Sequence, residues 1–417
     1  MKNKITTGIM LTLVMTSIVT LAFKVQPLKA GGTIYILEDG SVEGTDKIII
    51  SGNVTYTFTG DINDSIVVQR NNIIIDGDGY KLQGTGSNWG ISLSGRVNVT
   101  VQNIHIDSFG YGVWLYDSSH NIISGNIITA SNSYPIDLGG SSSYNSIVGN
   151  TITANNFEGI SLSSTCHHNS IIGNNITANS RKGIWLGGCS NVSIVGNAIT
   201  NNGHGMRLDG SSNIGIVGNN ITANDWNGIS IYGSSNISIV GNNIAANTRE
   251  GIYMLSSSNI SIIGNNITAH LYAAEGGIYL RASSKNRIVG NNITNNHYGI
   301  YFYESSDNII YHNNFIGNQP MQVYNYHYGV SPSINVWDDG YPSGGNYWSD
   351  YTEKYPNASE IDDSDIWDTP YVIDEDNQDN YPIIPEFSSV IILPLFMILT
   401  MLAIIFAKKK TAKKLKA

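Results

Sequence analysis

Nine residues fall at one step of a repeat of 22 to 26 residues: Trp114, Asp137, Ser161, Trp185, Arg207, Ser230, Tyr253, Tyr279 and Tyr301. Two residues further on come Tyr116, Asp209, Tyr232, Arg281 and Tyr303, and just before a repeated glycine stand Glu158, Lys182, His204, Asn227 and Glu250. Aromatic rings interleaved with polar groups suit a carbohydrate, whose C–H faces stack on rings while its hydroxyls take paired hydrogen bonds. The glycan-binding candidates are therefore Trp114, Tyr116, Trp185, Tyr232, Tyr253, Tyr279, Tyr301 and Tyr303. The same rings equally suit a structural role, because Tyr and Trp favour strands and stack across them.

Glu158, His204, Arg207, Asp209 and Glu250 are the candidate catalytic residues. A glycosidase needs one carboxyl to protonate the leaving oxygen and another to activate water, roughly 6.5 to 9.5 Å apart for inversion, or about two strand spacings. By repeat number, Glu158 to Asp209 and Asp209 to Glu250 each span about two coils. A polysaccharide lyase would instead use a base and cations against a uronate, for which Lys182, His204 and Arg207 are at hand. Solvated surface charge accounts for the same residues, and no pair among them carries a motif that names an enzyme.

Cys166 and Cys189 each stand seven residues before the glycine of their own repeat. Equal register stacks them on adjacent coils with Cα atoms about 5 Å apart, which a disulfide accepts. His167 and His168 beside them offer a rival role, a Cys–His cluster for copper or zinc. Further on, Asp363, Asp365 and Asp368 supply hard oxygen ligands for calcium. The alternative there is a polar cap in which Trp337, Trp348, Trp367 and Tyr371 cover the last coil.

The elements that must position these groups follow from the repeat. Gly125-Asn126, Gly149-Asn150, Gly173-Asn174, Gly196-Asn197, Gly218-Asn219, Gly241-Asn242, Gly264-Asn265 and Gly290-Asn291 mark successive units, and His312-Asn313 continues them without the glycine. Each unit reads as three short strands separated by Gly, Asn and Ser turns, for example Ser238-Ile239-Val240, Asn243-Ile244-Ala245 and Gly251-Ile252-Tyr253-Met254. Such a unit is one coil of an all-β parallel β-helix. Two inward columns, Val113 through Ile300 and Leu115 through Phe302, form its core. The Asn column is expected at positive φ in the turns, its amides stacked into a ladder.

Lys2 and Lys4, the apolar run Gly8 to Phe23 and the Leu28-Lys29-Ala30 site read as a secretory signal. Ser388 to Ala407 is uncharged and long enough to span a bilayer, and Lys408, Lys409, Lys410, Lys413, Lys414 and Lys416 follow on what would be the cytoplasmic side. Four of the 22 basic residues lie in the signal and six in the tail, which leaves 12 against 32 acidic ones, a charge of about −20. So acidic a surface disfavours nucleic acid as a partner.

Three stretches carry a family likeness: Asn72-Ile-Ile-Ile-Asp76-Gly-Asp78-Gly-Tyr80, the Ser-Ile-Val-Gly-Asn-Asn-Ile-Thr repeats, and Gly344-Gly345-Asn346-Tyr347-Trp348-Ser349-Asp350-Tyr351. Over roughly residues 33–382 the chain resembles the NosD-like β-helix surface proteins of archaea. The resemblance implies a right-handed helix of pectate-lyase-like shape, an association with carbohydrate binding and sugar hydrolysis, and a copper label. Pro385-Glu386-Phe387 resembles the PEF-type sorting signals of archaeal surface proteins, which implies a C-terminal anchor open to processing by a sortase-like enzyme. Relatives often carry a glycine-rich calcium-loop-like run after this point, whereas Ile361 to Tyr371 lacks the glycines.

The expected organisation is a signal at 1–30, an N-terminal cap and first coils at 31–110, regular repeats at 111–318, an acidic aromatic cap at 319–386, a transmembrane helix at 387–407 and a basic tail at 408–417. The expected function is a noncatalytic protein on the outer face of the cell membrane that binds glycan or an envelope component through its aromatic face. The alternatives are a polysaccharide hydrolase or lyase on that face, and an extracytoplasmic copper-binding protein.

Overall fold

A computed structural model of the chain describes residues 32–384 apart from 273–275, 327, 328 and 330. The expected signal, transmembrane helix and basic tail lie outside the described residues. Among the described residues no helix is long and apolar enough to cross a membrane.

Short apolar–polar alternations bounded by glycine and asparagine turns give strands of mostly three to six residues. They assemble into three long sheets, of 14, 13 and 12 strands, that run along a parallel β-helix. The unit expected at 238–254 is seen as Ser235–Val240, Asn243–Ala245 and Ile252–Leu255, one strand in each sheet. The 14-stranded sheet, called here the front sheet, contains the third strand of every coil. Its two inward columns, from Val113 to Ile300 and from Leu115 to Phe302, are at most 1% exposed, so the expected core is the observed one.

Asparagine ladders hold the coils together. From Asn126 through Asn150, Asn174, Asn197, Asn219, Asn242, Asn265, Asn291 and Asn313 to Asn346, each side-chain amide donates to the Oδ1 of the next coil at 2.9–3.0 Å. The expected ladder is present, but the expected backbone is not. Positive φ belongs to the preceding glycines, such as Gly125 at 65° and Gly173 at 61°, while the asparagines turn inward. Left-handed backbone is nearly free for glycine and strained for a residue with a Cβ, so the pair divides the work. His312, which replaces the glycine, takes the same φ of 55°.

A second inward line reads Ser118, Ser142, Cys166, Cys189, Ser211, Ser234, Ser257, Ser283, Ser305 and Ser333, all buried. The two cysteines are in the expected register but are free thiols, not a disulfide. The reason is orientation: each sulfur turns toward a carbonyl of the preceding coil, Cys166 Sγ to Leu138 O and Cys189 Sγ to Leu162 O, both at 3.4 Å. Ser142 and Ser211 do the same toward Leu115 O and Leu186 O. The two thiols are neighbours on adjacent coils, and each is engaged with its carbonyl as a thiol. The Cys189 sulfur and burial push the Cys166 thiol well up, so it stays protonated. Cys189→Ser is therefore expected to shift stability by less than about 1 kcal/mol, because serine already serves at neighbouring rungs; Cys189→Val is expected to cost more by stranding the ladder's polar partners. Thermal unfolding of the two variants checks this, and nonreducing intact mass should show no loss of two hydrogens.

Caps close both ends. Val42–Glu43 pairs antiparallel with Thr33–Ile36, and Ile48–Ser51 with Thr55–Phe58. At the other end Trp348 stacks on Phe315 at 4.5 Å and on Tyr371 at 4.1 Å, while Trp337 is 1% exposed. Trp367 stacks on Tyr351 beside the single helical turn Tyr351–Lys354. The aromatic cap expected over the last coil is thus present.

Candidate functional site

The outward column of the front sheet is one continuous register: Trp114, Asp137, Ser161, Trp185, Arg207, Ser230, Tyr253, Tyr279, Tyr301 and Tyr324 are cross-strand neighbours in that order. Rings gather in two blocks. Near the N-terminal end Trp89 stacks on Trp114 at 5.1 Å, and Trp114 on Tyr116 at 5.7 Å. Towards the C-terminal end Tyr232, Tyr253, Tyr279, Tyr301 and Tyr324 follow one another at 4.3–5.5 Å, with Tyr303 against Tyr326 at 5.2 Å. Trp185 stands between the blocks.

Between them runs a polar interval. Lys182 Nζ meets Glu158 Oε1 at 2.6 Å, and Arg207 Nε meets both oxygens of Asp209 at 2.9 Å, one of which also accepts from Trp185 Nε1 at 2.7 Å. Arg207 lies over the Tyr232 ring at 4.2 Å. Glu158, Ser161, Asn227 and Ser230 are each at most 5% exposed although they face outward. Glu158 Oε2, Ser161 Oγ, His204 Nδ1, Asn227 Oδ1 and Ser230 Oγ are buried atoms without a well-formed hydrogen bond. Buried polar groups are ordinarily paired, so such a row marks where a ligand or ordered water belongs.

The turns that lead into the front sheet raise a wall beside this interval. Tyr134 meets Phe157 edge-on at 4.7 Å, Arg181 lies 3.8 Å over Phe157, and Arg249 lies 3.9 Å over Trp226. Burial, then Lys182, Arg207 and Arg249, push His204 down to about 4, which leaves it neutral at pH 7. Burial pushes Asp137 up to about 6; the nearby Ser161 hydroxyl tempers the rise and the Glu158 charge adds to it.

The carboxylate pairs expected from repeat number do not form. Glu158 and Glu250 lie two residues ahead of the strands Ile160–Ser163 and Ile252–Leu255, whereas Asp209 ends its strand, five residues beyond His204, or roughly 15 Å along it. Asp209 is a partner of Arg207 and Trp185 instead. Asp137 as an acid and the ring wall of Tyr134, Phe157 and Trp226 lie outside what the repeat pattern signals. Tyr324 was legible as the next member of its column, but its coil departs from the regular spacing.

The expected metal clusters are also absent among the described residues, where no three His, Cys, Asp or Glu side chains converge. His167 Nδ1 bonds Ser190 Oγ at 2.8 Å, His168 stacks on Tyr144 at 4.7 Å, and the Cys166 thiol turns into the core. Consecutive residues on extended backbone point to opposite sides, which separates the two rings. Asp368 accepts from Ser359 N and Thr369 Oγ1, while Asp363 and Asp365 take left-handed backbone in the turn before Ile366. These residues do not fit copper, zinc or calcium.

Three sheets in parallel register, ladders between coils and one ring-bearing outer face define a parallel β-helix protein. Family models agree: residues 177–353 match "Periplasmic copper-binding protein (NosD)" and residues 89–244 match "Right handed beta helix region". The chain is a NosD-like right-handed parallel β-helix protein. No curated protein is matched. Among solved structures, the A-module of the Azotobacter vinelandii mannuronan C-5 epimerase AlgE6 is similar at TM-score 0.46 and 15% identity, over 74% of this chain and 90% of that one. DFA-IIIase from Arthrobacter chlorophenolicus A6 is similar at TM-score 0.44 and 16% identity, over 56% and 65%. The periplasmic alginate epimerase AlgG is similar at TM-score 0.35 and 15% identity, over 73% and 82%.

Proposed function

We propose that this protein binds an extended carbohydrate along the outer face of the front sheet, and that it does so outside the cell. The observation that carries this is the in-line order of the ring blocks, with a row of unpartnered hydrogen-bonding atoms between them. Rings alone would serve a sheet as well as a sugar. Buried polar atoms without a well-formed hydrogen bond stabilise little, and a polyhydroxylated ligand supplies what they lack. Export and surface attachment rest on the basic, apolar and lysine-rich segments at the two ends of the sequence. A glycan or an envelope component is then the partner such a protein meets.

Purified protein is expected to retain at least one polysaccharide on a glycan array, and Tyr279→Ala with Tyr301→Ala should weaken that binding about tenfold or more, the equivalent of about 1.4 kcal/mol. Retention of no glycan, or unchanged affinity in the double variant, would sink the idea.

A further inference from the structure

We infer that the polar interval is a glycoside-cleaving centre in which Asp137 gives a proton to the leaving oxygen and Glu158 takes the proton of the attacking water. This rests on the carbohydrate-binding reading and adds chemistry to it. Asp137 pairs in register with Ser161 on the next coil, and Glu158 enters that same coil three residues earlier. Glu158 faces outward because Gly159 behind it faces inward: a Cβ there would meet Ile176 Cγ2 and Gly183 O, both at 2.7 Å. Ile160 is also inward, so the strand opens with a local irregularity that turns the carboxylate to the outer face.

Lys182 holds Oε1 of Glu158 at 2.6 Å, and Oε2, buried with the residue 2% exposed, has no partner. An unpartnered carboxylate oxygen at that depth is an acceptor in want of a proton-bearing neighbour, which a bound water or sugar hydroxyl would be. The Tyr134 hydroxyl shares the spot: burial, then the charges of Glu158 and Asp137, push it up to about 12. Tyr134 is thereby held as a hydrogen-bond donor beside the two carboxyl groups. Two carboxyls whose surroundings differ, Glu158 held by the Lys182 ammonium and Asp137 largely desolvated beside a second carboxylate, are the arrangement that separates an acid from a base.

The step balances without a further reagent. The C1–O bond breaks with its electron pair going to the leaving oxygen, which receives the Asp137 proton. Water oxygen bonds to C1 and gives its proton to Glu158, and the products carry one new reducing end. Lys182 is a positioning residue. Asp137 is faced by Glu158 and Tyr134, with Lys182 and Arg181 behind them, and as the acid it must be protonated. Turnover should therefore fall as pH rises through about 6.

The test incubates full-chain protein with the polysaccharide it retains on the array and measures reducing ends. Wild type is expected to release them, and Asp137→Asn to lower kcat by about 10²- to 10⁴-fold with dissociation constant and melting temperature unchanged. Asp137→Asn turnover at the wild-type rate overturns the assignment. Binding without reducing ends, or with unsaturated uronate ends instead, overturns hydrolysis while leaving the binding reading intact. Failure to bind any glycan overturns both.

Discussion

Asn219→Ala is expected to lower the free energy of unfolding by about 3 kcal/mol or more. Asn219 is 1% exposed and sits in the middle of the long amide ladder. Its Oδ1 accepts from the backbone N and the side-chain Nδ2 of Asn197, both at 2.9 Å, and its Nδ2 donates to Ile194 O, Val217 O and Asn242 Oδ1 at 3.0–3.2 Å. Alanine leaves the Asn197 N–H without an acceptor in a closed interior and opens a cavity where the amide stood. Each stranded buried group costs about 1–3 kcal/mol, and the cavity adds to it. The next residue supplies the control. Asn220 is exposed and its amide accepts from Asn243 Nδ2 on the outer face at 2.8 Å, where water replaces what alanine removes. Asn220→Ala should fall within about 0.5 kcal/mol of wild type. Denaturant titration of both variants decides: equal midpoints would mean that the ladder is an ornament of the repeat.

What the sequence disclosed follows the physics of its repeat. Side chains in a strand alternate with period two and coils repeat in register, so the inward columns and the outward stripe from Trp114 to Tyr301 were legible to the residue. Register fixes where a Cα stands but not where its side chain turns. That is why Cys166 and Cys189 meet as expected and remain thiols. Repeat number likewise counts coils but not position across a strand, so Glu158 and Asp209 looked like a pair while lying at opposite ends of their strands. Asp137 was visible as a carboxyl in the stripe. Its altered acidity was not, because it depends on burial and on Glu158 and Tyr134, which stand in the turns that lead into the strands and outside the repeat's regular part. The His167–His168 and Asp363–Asp368 sites expected for metal show, among the described residues, composition without convergence.

Asp379→Ala should unseat the C-terminal cap, at a cost of about 3 kcal/mol or more, for it strips several buried donors at once. Asp379 ends the long ladder. Its Oδ2 accepts from Asn346 N at 2.7 Å and Trp348 Nε1 at 2.9 Å, and its Oδ1 from Tyr381 N at 3.2 Å. It is also packed against Gly345, where a Cβ would lie 1.8 Å from Oδ1. Burial pushes its carboxyl up to about 7, with Asp338 adding to the rise, although the Asn346, Trp348 and Tyr381 N–H groups work the other way. The folded value thus stands above the ordinary 3.8 of the unfolded chain. Below about 4 both states hold the proton and the cap has its full stability; between about 4 and about 7 the unfolded chain ionises first, and stability is lost as pH rises through the folded value. The melting temperature of the wild type should accordingly fall from pH 5 to pH 8 by more than that of Asp379→Asn, which keeps an acceptor oxygen but cannot ionise. Parallel pH curves for the two proteins would show that the ladder ends on an ordinary carboxylate.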